Sequence, residues 1–352
     1  MGKLKFNNNY NYIISVDNLL DAWQEFLCGK RSRKDVQRFE RNLMANILNL
    51  HNDLANKTYQ HSPYHAFNIS DPKPRNIHKA SVRDRLLHHA LYRVLYPSFD
   101  KTFIADSYSC RLNKGTHKAL NQFRAYSYKA SQNHTRTVWV LKGDIKKFFA
   151  SVDQKIIIEI IREYIPDKDI QSLISQIVLS FHSGRKGRGL PLGNLTSQLL
   201  VNVYMNEFDQ FVKHQLKAKY YIRYADDFVI LSDNKQWLLT ILSDISNFLF
   251  ERLRLFLHGR KVSIRTVASG VDFLGWVNFP DHRVLRTVAR RRMFKNITVK
   301  QGNNDTVQSY LGLLQHGNTY GLVGQVKQVD LEISEHSSYS LQDDGREQEV
   351  LL

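Results

Sequence analysis

Tyr224-Ala225-Asp226-Asp227 sets two carboxylates side by side between two short β-rich runs, 220–224 and 228–231, which predicts a hairpin with both acids at its tip. Left unpaired, neighbouring carboxylates repel, and one of them takes up a proton. A divalent cation removes the conflict, and hard Mg²⁺ prefers carboxylate oxygens together with phosphate. Roughly 80 residues earlier, Asp144 follows the apolar run 137–141 and precedes Ile145-Lys146-Lys147-Phe148-Phe149. A carboxylate at a strand end can face such a hairpin across a sheet. Three carboxylates from two strands can hold two Mg²⁺ ions, and such a pair activates a 3′-hydroxyl and stabilises departing pyrophosphate in an in-line displacement. Taken singly, the Asp-Asp pair is an ordinary solvated turn and Asp144 an ordinary turn or helix cap. The two motifs together are what point to metal chemistry.

Cations suited to phosphate surround these acids in sequence. Lys73 and Arg75 flank Pro74, and an extended Lys-Pro-Arg segment can present both heads to a triphosphate, Arg bidentately. A Gly-rich loop, 184–193, carries Arg185, Lys186 and Arg188. Six more basic residues, Arg283, Arg286, Arg290, Arg291, Arg292 and Lys295, have the density of a helix riding duplex phosphates, although a solvated face would look the same. The histidines, His88-His89 among them, show no metal-ligand spacing, and Cys28 and Cys110 read as plain buried thiols.

The elements that must position these groups alternate. Helical periodicity covers 17–27 and continues over 34–51. Prolines 63, 72 and 74 then impose an extended, turning stretch, and 84–96 forms an amphipathic helix expected to stop at Pro97. A strand at 137–141 leads to helices at 154–165, 170–181 and 196–217. The acidic hairpin follows, then a helix at 236–257 and a second hairpin, 262–267 with 271–277, around Ser269-Gly270. This order describes an α+β fold with helices against an antiparallel sheet.

Composition narrows the partner. The chain has 352 residues, which suggests two or three lobes. Its apolar fraction of 42% excludes wholesale disorder. Fifty Lys and Arg against 33 Asp and Glu give a formal charge of +17, which calls for an acidic partner. No apolar stretch approaches a membrane span, the first ten residues lack a signal core, and two cysteines build no disulfide framework, so nucleic acid in a reducing cytoplasm is the expectation. From Asp330 onward seven acids face one base, Arg346, and this tail is expected to be poorly ordered.

LKGDIKKFFASVD (141–153) and YADDFVIL (224–231) resemble the palm motifs of reverse transcriptases. In the same order, DPKPRNIH (71–78) resembles the fingers segment that meets the triphosphate. GLPLGNLTSQ (189–198) resembles the loop under the nascent base pair, and Lys261 with VDFLGW (271–276) resembles the late palm lysine and primer grip. The resemblance covers about 40–320 and implies a right-hand polymerase. Its parts would be an N-terminal helical extension (1–39), fingers (40–135 with part of 154–190), palm (136–280), thumb (281–325) and an acidic tail (326–352). It implies two Mg²⁺ held by Asp144, Asp226, Asp227 and the backbone of Ile145, and a nucleotide site of Lys73, Arg75, Ile145, Phe148, Phe149, Leu192, Gly193, Gln198 and Lys261. Phe149 would bar a 2′-hydroxyl, with Phe148 the better candidate for core.

Leu-Gly where most relatives have Gln-Gly, with RDRLLHHAL (83–91), DSYSCRLNKGTHKAL (106–120) and SYLGLLQHGNTY (309–320), is similar to the reverse transcriptases of diversity-generating retroelements. Such an enzyme copies a template-repeat RNA with errors at adenines. It uses deoxynucleoside triphosphates, holds an RNA/DNA duplex and works with a small basic oligomeric accessory protein in a bacterial, archaeal or phage setting. A retron-type or antiphage-defence enzyme and an inactive RNA-binding scaffold are the rival readings.

Overall fold

Apolar side chains recur at Leu19, Ala22, Trp23, Phe26 and Leu27, and this stripe folds as the helix Val16–Leu27 with all five buried. Ser15 caps it, its Oγ accepting the Asn18 amide at 3.2 Å. The computed structural model describes residues 9–70 and 74–343, so Lys73 and residues 344–352 lie outside the described residues. Two compact units are formed. Of the described residues, the first comprises those up to Gly115 with Lys142–Ile230 and Leu239–Ser263; the second comprises Thr116–Leu141, Leu231–Leu238 and those from Ile264.

In the first unit, helix Val16–Leu27 lies against helix Val82–Asp100, and Arg93 reaches across to Glu25 at 2.6 Å and Asp21 at 3.1 Å. The latter helix runs through Pro97 instead of stopping there. A proline forfeits one backbone hydrogen bond near a helix end, and the buried rings of Tyr96 and Phe99 hold the last turn in place. The expected helix over 34–51 breaks into Lys34–Glu40 and Leu43–Ala55. Strands β1 (His65–Ile69) and β2 (Arg75–Lys79) form an antiparallel hairpin, His65 opposite Lys79 and Ile69 opposite Arg75.

Strand β3 (Trp139–Asp144) begins in the second unit and ends in the first, where it lies beside β5 (Asp227–Ser232), itself beside β4 (Tyr220–Tyr224). Helix Leu195–Gln210 covers these strands, with Phe208 5.2 Å from the Phe228 ring and 6.1 Å from Tyr221. Its continuation, Phe211–Gln215, widens into a π-helical turn.

The second unit contains helix Thr116–Ala130 and the start of β3 beside β6 (Ser263–Thr266). A separate sheet of β7 (Val271–Phe273), β8 (Trp276–Asn278) and β9 (Arg283–Leu285) follows. The expected hairpin between 262–267 and 271–277 is therefore corrected. Leu274 and Gly275, at φ 52° and 86°, fold that apolar run back on itself, and β7 pairs with β8. Helices Thr287–Val299, Asn304–Leu314 and Tyr320–Asp343 complete the unit. The acidic segment is also corrected: from 326 to 343 it is helical, anchored by fully buried Val326 and by the Gln328–Glu332 hydrogen bond at 3.1 Å. Cys28 and Cys110 are both exposed, contrary to the expectation of buried thiols. Among the described residues no helix is long and apolar enough to cross a membrane.

His88, on helix Val82–Asp100, is fully buried beneath the His61 ring, 5.4 Å away. Burial, then His61, push it down to about 3, with Asp84 opposing and His89 and Arg85 adding to the shift. Its folded pKa lies below the unfolded value, so only the unfolded chain takes up this proton as pH falls below about 6.5. Stability should therefore drop by about 2 kcal/mol between pH 6.5 and 5 on this account. Thermal unfolding across that range checks it, and His88→Leu should flatten the fall.

Candidate active site

Asp144 ends β3 and Asp227 begins β5. Because these strands are neighbours, both acids come to one end of the sheet. Close approach depends on Gly143, where a Cβ would sit 2.2–2.9 Å from the Phe228 ring. Asp226 stands in the β4–β5 turn behind Ala225, whose φ of 55° is left-handed and costs about 1 kcal/mol for a residue with a Cβ. The two turns are tied together: the Ile145 amide donates to the Asp226 carbonyl at 3.3 Å. A third segment braces them, the His258 amide donating to the Asp144 carbonyl at 2.7 Å and the Lys146 amide to the Phe256 carbonyl at 2.9 Å.

The side chains carry the electrostatic conflict expected of clustered acids. Burial, then Asp226, push Asp227 up to about 6; Lys142 opposes, and Asp144, which shares a hydrogen bond with Asp227, adds to the rise. Asp144 is almost buried, and the Lys261 ammonium spans its two oxygens at 2.8 and 2.7 Å. Hard oxygen donors that disfavour one another's charge suit a divalent cation, and Asp144, Asp226 and Asp227 with the Ile145 backbone could hold one. Among the described residues no three ligand-type side chains are already closed around one point, in keeping with the hold of Lys261 on Asp144.

The turn after Asp144 leads to a cavity of about 610 Å³ lined by Arg75, His78, Lys147, Phe149 and Leu192 among others. Its walls are joined through backbone. The His78 amide donates to the Leu192 carbonyl at 3.1 Å, and Asn194 Nδ2 donates to the His78 carbonyl at 2.9 Å. Gly193, at φ 107°, lets the loop pass Ile77, whose Cγ2 lies 3.0 Å from where a Cβ would stand. Phe148 is buried at 3% exposure and packs edge-on against Phe149, 5.6 Å away, so only the second ring lines the cavity. Gln198 sits half-buried in the first turn of helix Leu195–Gln210.

The expected phosphate-binding cations separate into two sets. Arg185, Lys186, Arg290, Arg291 and Lys295 are exposed, and Arg292 is half-buried. Arg188 is bound to Asp153 at 3.2 Å and to the Ser151 carbonyl at 3.2 Å. Arg283 and Arg286 precede the helix Thr287–Val299. The first donates to the His316 carbonyl and to Asn121 at 2.9 Å, and the second pairs with Asp272 at 2.9 Å. Sequence reasoning passed over Gly143, Asn194, Arg223 and Asp209. Arg223 left a readable signal, a lone charge inside the run YYIRY.

An antiparallel sheet backed by helices, with carboxylates at one end of two adjacent strands, is the α+β fold of a right-hand polymerase. The chain belongs to the reverse transcriptase (RNA-dependent DNA polymerase) family, whose model matches residues 69–277. It is 26% identical over 280 residues to protein YkfC of Escherichia coli, a match covering 68% of this chain and 71% of that one. It is 24% identical over 229 residues to the group II intron-encoded protein LtrA of Lactococcus lactis, covering 61% of this chain and 36% of LtrA. The apo telomerase of Candida tropicalis shares the fold at a TM-score of 0.52 and 12% identity, over 81% of this chain and 59% of that one. The chain thus spans about a third of LtrA and under two thirds of the telomerase.

Gly143→Ala should drive the Phe228 ring from its place and part β3 from β5. A loss of about 1–3 kcal/mol in denaturant unfolding is expected for this overpacking.

Proposed function

We propose that this chain synthesises DNA on an RNA template, as the reverse transcriptase of a diversity-generating retroelement. The polymerase reading is carried by one observation: Asp144 and Asp227 meet at the end of adjacent strands with Asp226 beside them. In this reading Asp144, Asp226, Asp227 and the Ile145 carbonyl hold two Mg²⁺, which when bound neutralise phosphate charge and activate the primer 3′-hydroxyl. Arg75, with Lys73, orients the triphosphate of a deoxynucleotide in the cavity. Phe149 lies under its sugar, Leu192 and Gly193 border the forming pair, and Gln198 supports that loop. Lys261, bound to both Asp144 oxygens, would yield that carboxylate to the cations when they bind. Little covalent work falls to the protein, and positioning supplies most of the rate.

We assign the palm to about 136–280, the fingers to 40–135 with part of 154–190, and the thumb to 281–325 continuing into helix Tyr320–Asp343. The exposed Arg290, Arg291 and Lys295, together with Arg185 and Lys186, would follow the RNA/DNA duplex. The retroelement subtype rests on Leu192 and on the motifs at 83–91, 106–120 and 309–320. It brings with it a template-repeat RNA, a small basic oligomeric accessory protein and a cytoplasmic setting. The likeness to LtrA favours a second reading, an intron-type enzyme. Near-identical repeats differing at adenines in the flanking DNA would select the first, and intron RNA sequences the second.

Asp226→Asn should abolish primer extension on RNA while folding and RNA binding persist, because a neutral amide is a poor Mg²⁺ ligand. Extension at a tenth of the wild-type rate would remove Asp226 from the site, and a wild-type chain that binds RNA without extending a primer would leave a scaffold.

Leu192→Gln places a hydrogen-bonding group in the cavity wall. Each ~1.4 kcal/mol of discrimination is worth about tenfold, so errors opposite template adenine should fall about tenfold in sequenced products. An unchanged error spectrum in an active variant would make Leu192 a packing residue only.

A further inference from the structure

Below the acidic turn, Arg223 on β4 is 1% exposed and Asp209 on helix Leu195–Gln210 is wholly buried. The pair is bidentate: Nε to Oδ1 at 2.7 Å and Nη2 to Oδ2 at 2.7 Å. The Tyr221 hydroxyl donates to Asp209 Oδ1 at 2.7 Å. The second Nη2 hydrogen goes to Ser107 Oγ at 3.0 Å, and Nη1 donates to Asn202 Oδ1 at 3.3 Å and to the Ala225 carbonyl at 3.1 Å. Every one of the five guanidinium hydrogens thus has an acceptor. The backbone is fixed as well. The Arg223 amide donates to the Asp106 carbonyl at 3.0 Å, and its carbonyl accepts from the Tyr108 amide at 2.9 Å.

We infer that Arg223 is a positioning residue for the catalytic turn: Asp209, Ser107 and Asn202 set the guanidinium plane, and its remaining Nη1 hydrogen holds the Ala225 carbonyl and so fixes where Asp226 stands. A folded core alone does not require this arrangement, because a buried ion pair is often replaced by apolar side chains without loss of stability. The last bond explains the choice of arginine. Ala225 is held left-handed, and the carbonyl it presents needs a donor that does not move when charge builds nearby. A lysine head gathers its three donors on one nitrogen, so it cannot brace side-on against both carboxylate oxygens and reach Ala225 as well. The inference rests on the polymerase reading of Asp144, Asp226 and Asp227.

Two variants of the full chain test it. Arg223→Met with Asp209→Leu and Tyr221→Phe removes both charges and leaves no orphaned phenol. Arg223→Lys keeps the charge opposite Asp209. Misplacement by about 1 Å can cost 10²-fold in rate, so single-turnover nucleotide addition should fall about 100-fold in each. The KM for deoxynucleotide and the Kd for an RNA/DNA duplex should stay within about threefold of wild type, as expected for an effect confined to the reacting geometry. Mn²⁺ affinity, read by electron paramagnetic resonance without any turnover, should weaken about tenfold, equivalent to about 1.4 kcal/mol. If the triple variant does not fold, Arg223→Lys decides. Either folded variant retaining its rate and Mn²⁺ affinity within about twofold overturns the assignment, a span smaller than any one of the bonds at stake. A wild-type chain without extension would instead count against the polymerase reading, and the Mn²⁺ titration would still decide the role of Arg223.

Discussion

Asp144 and Asp227 share a hydrogen bond at the end of two adjacent strands with Asp226 close by, and much of the first unit works against the mutual repulsion of these acids. Two unit charges 4 Å apart repel by about 4 kcal/mol at an effective dielectric of 20, a large part of the 5–15 kcal/mol that typically stabilises a domain. No single bond carries that load. Gly143 admits the Phe228 ring, the Ile145 amide holds the Asp226 carbonyl, and the segment 256–258 fastens both the Asp144 carbonyl and the Lys146 amide. Lys261 supplies local positive charge to Asp144. The acids are placed chiefly by backbone bonds and glycine, while their side chains engage one another and Lys261.

The same economy divides the basic residues. Arginines with a defined carboxylate or carbonyl partner, Arg188, Arg223 and Arg286, are committed within their own units. Exposed Arg185, Lys186, Arg290, Arg291 and Lys295 remain at the surface. Ion pairing leaves the net charge at +17 but takes the paired arginines out of direct reach of phosphate, so a polyanionic partner would meet positive charge concentrated on particular helices and loops.

The acids were legible in the sequence because the signals that place them are local. An apolar run ending in Asp144 and a hairpin broken by Ala-Asp-Asp each specify one strand end. The motif order then pairs them. Arg223 was not legible as a partner of Asp209, because the two lie on different elements and a charge in a strand reads first as an exposed position. Periodicity reads 271–277 as one strand because it carries no mark for two consecutive left-handed residues when the first is leucine. Pro97 and the acidic segment misled in opposite ways. One breaker was outweighed by buried rings, and one charged stretch was recruited into a helix by an apolar anchor earlier in its sequence. Exposure of the cysteines follows from loop placement, which spacing does not encode.

The bond that seats residue 192 uses its carbonyl, a group every amino acid carries. Asn194 grips the same hairpin from two residues away. The side chain at 192 is thus uncoupled from the loop's own anchorage. A lineage can exchange it, and with it the wall offered to whatever occupies the cavity, while the surrounding loop keeps its course. Selection acting on that one position could reshape the cavity wall without first having to rebuild the protein around it.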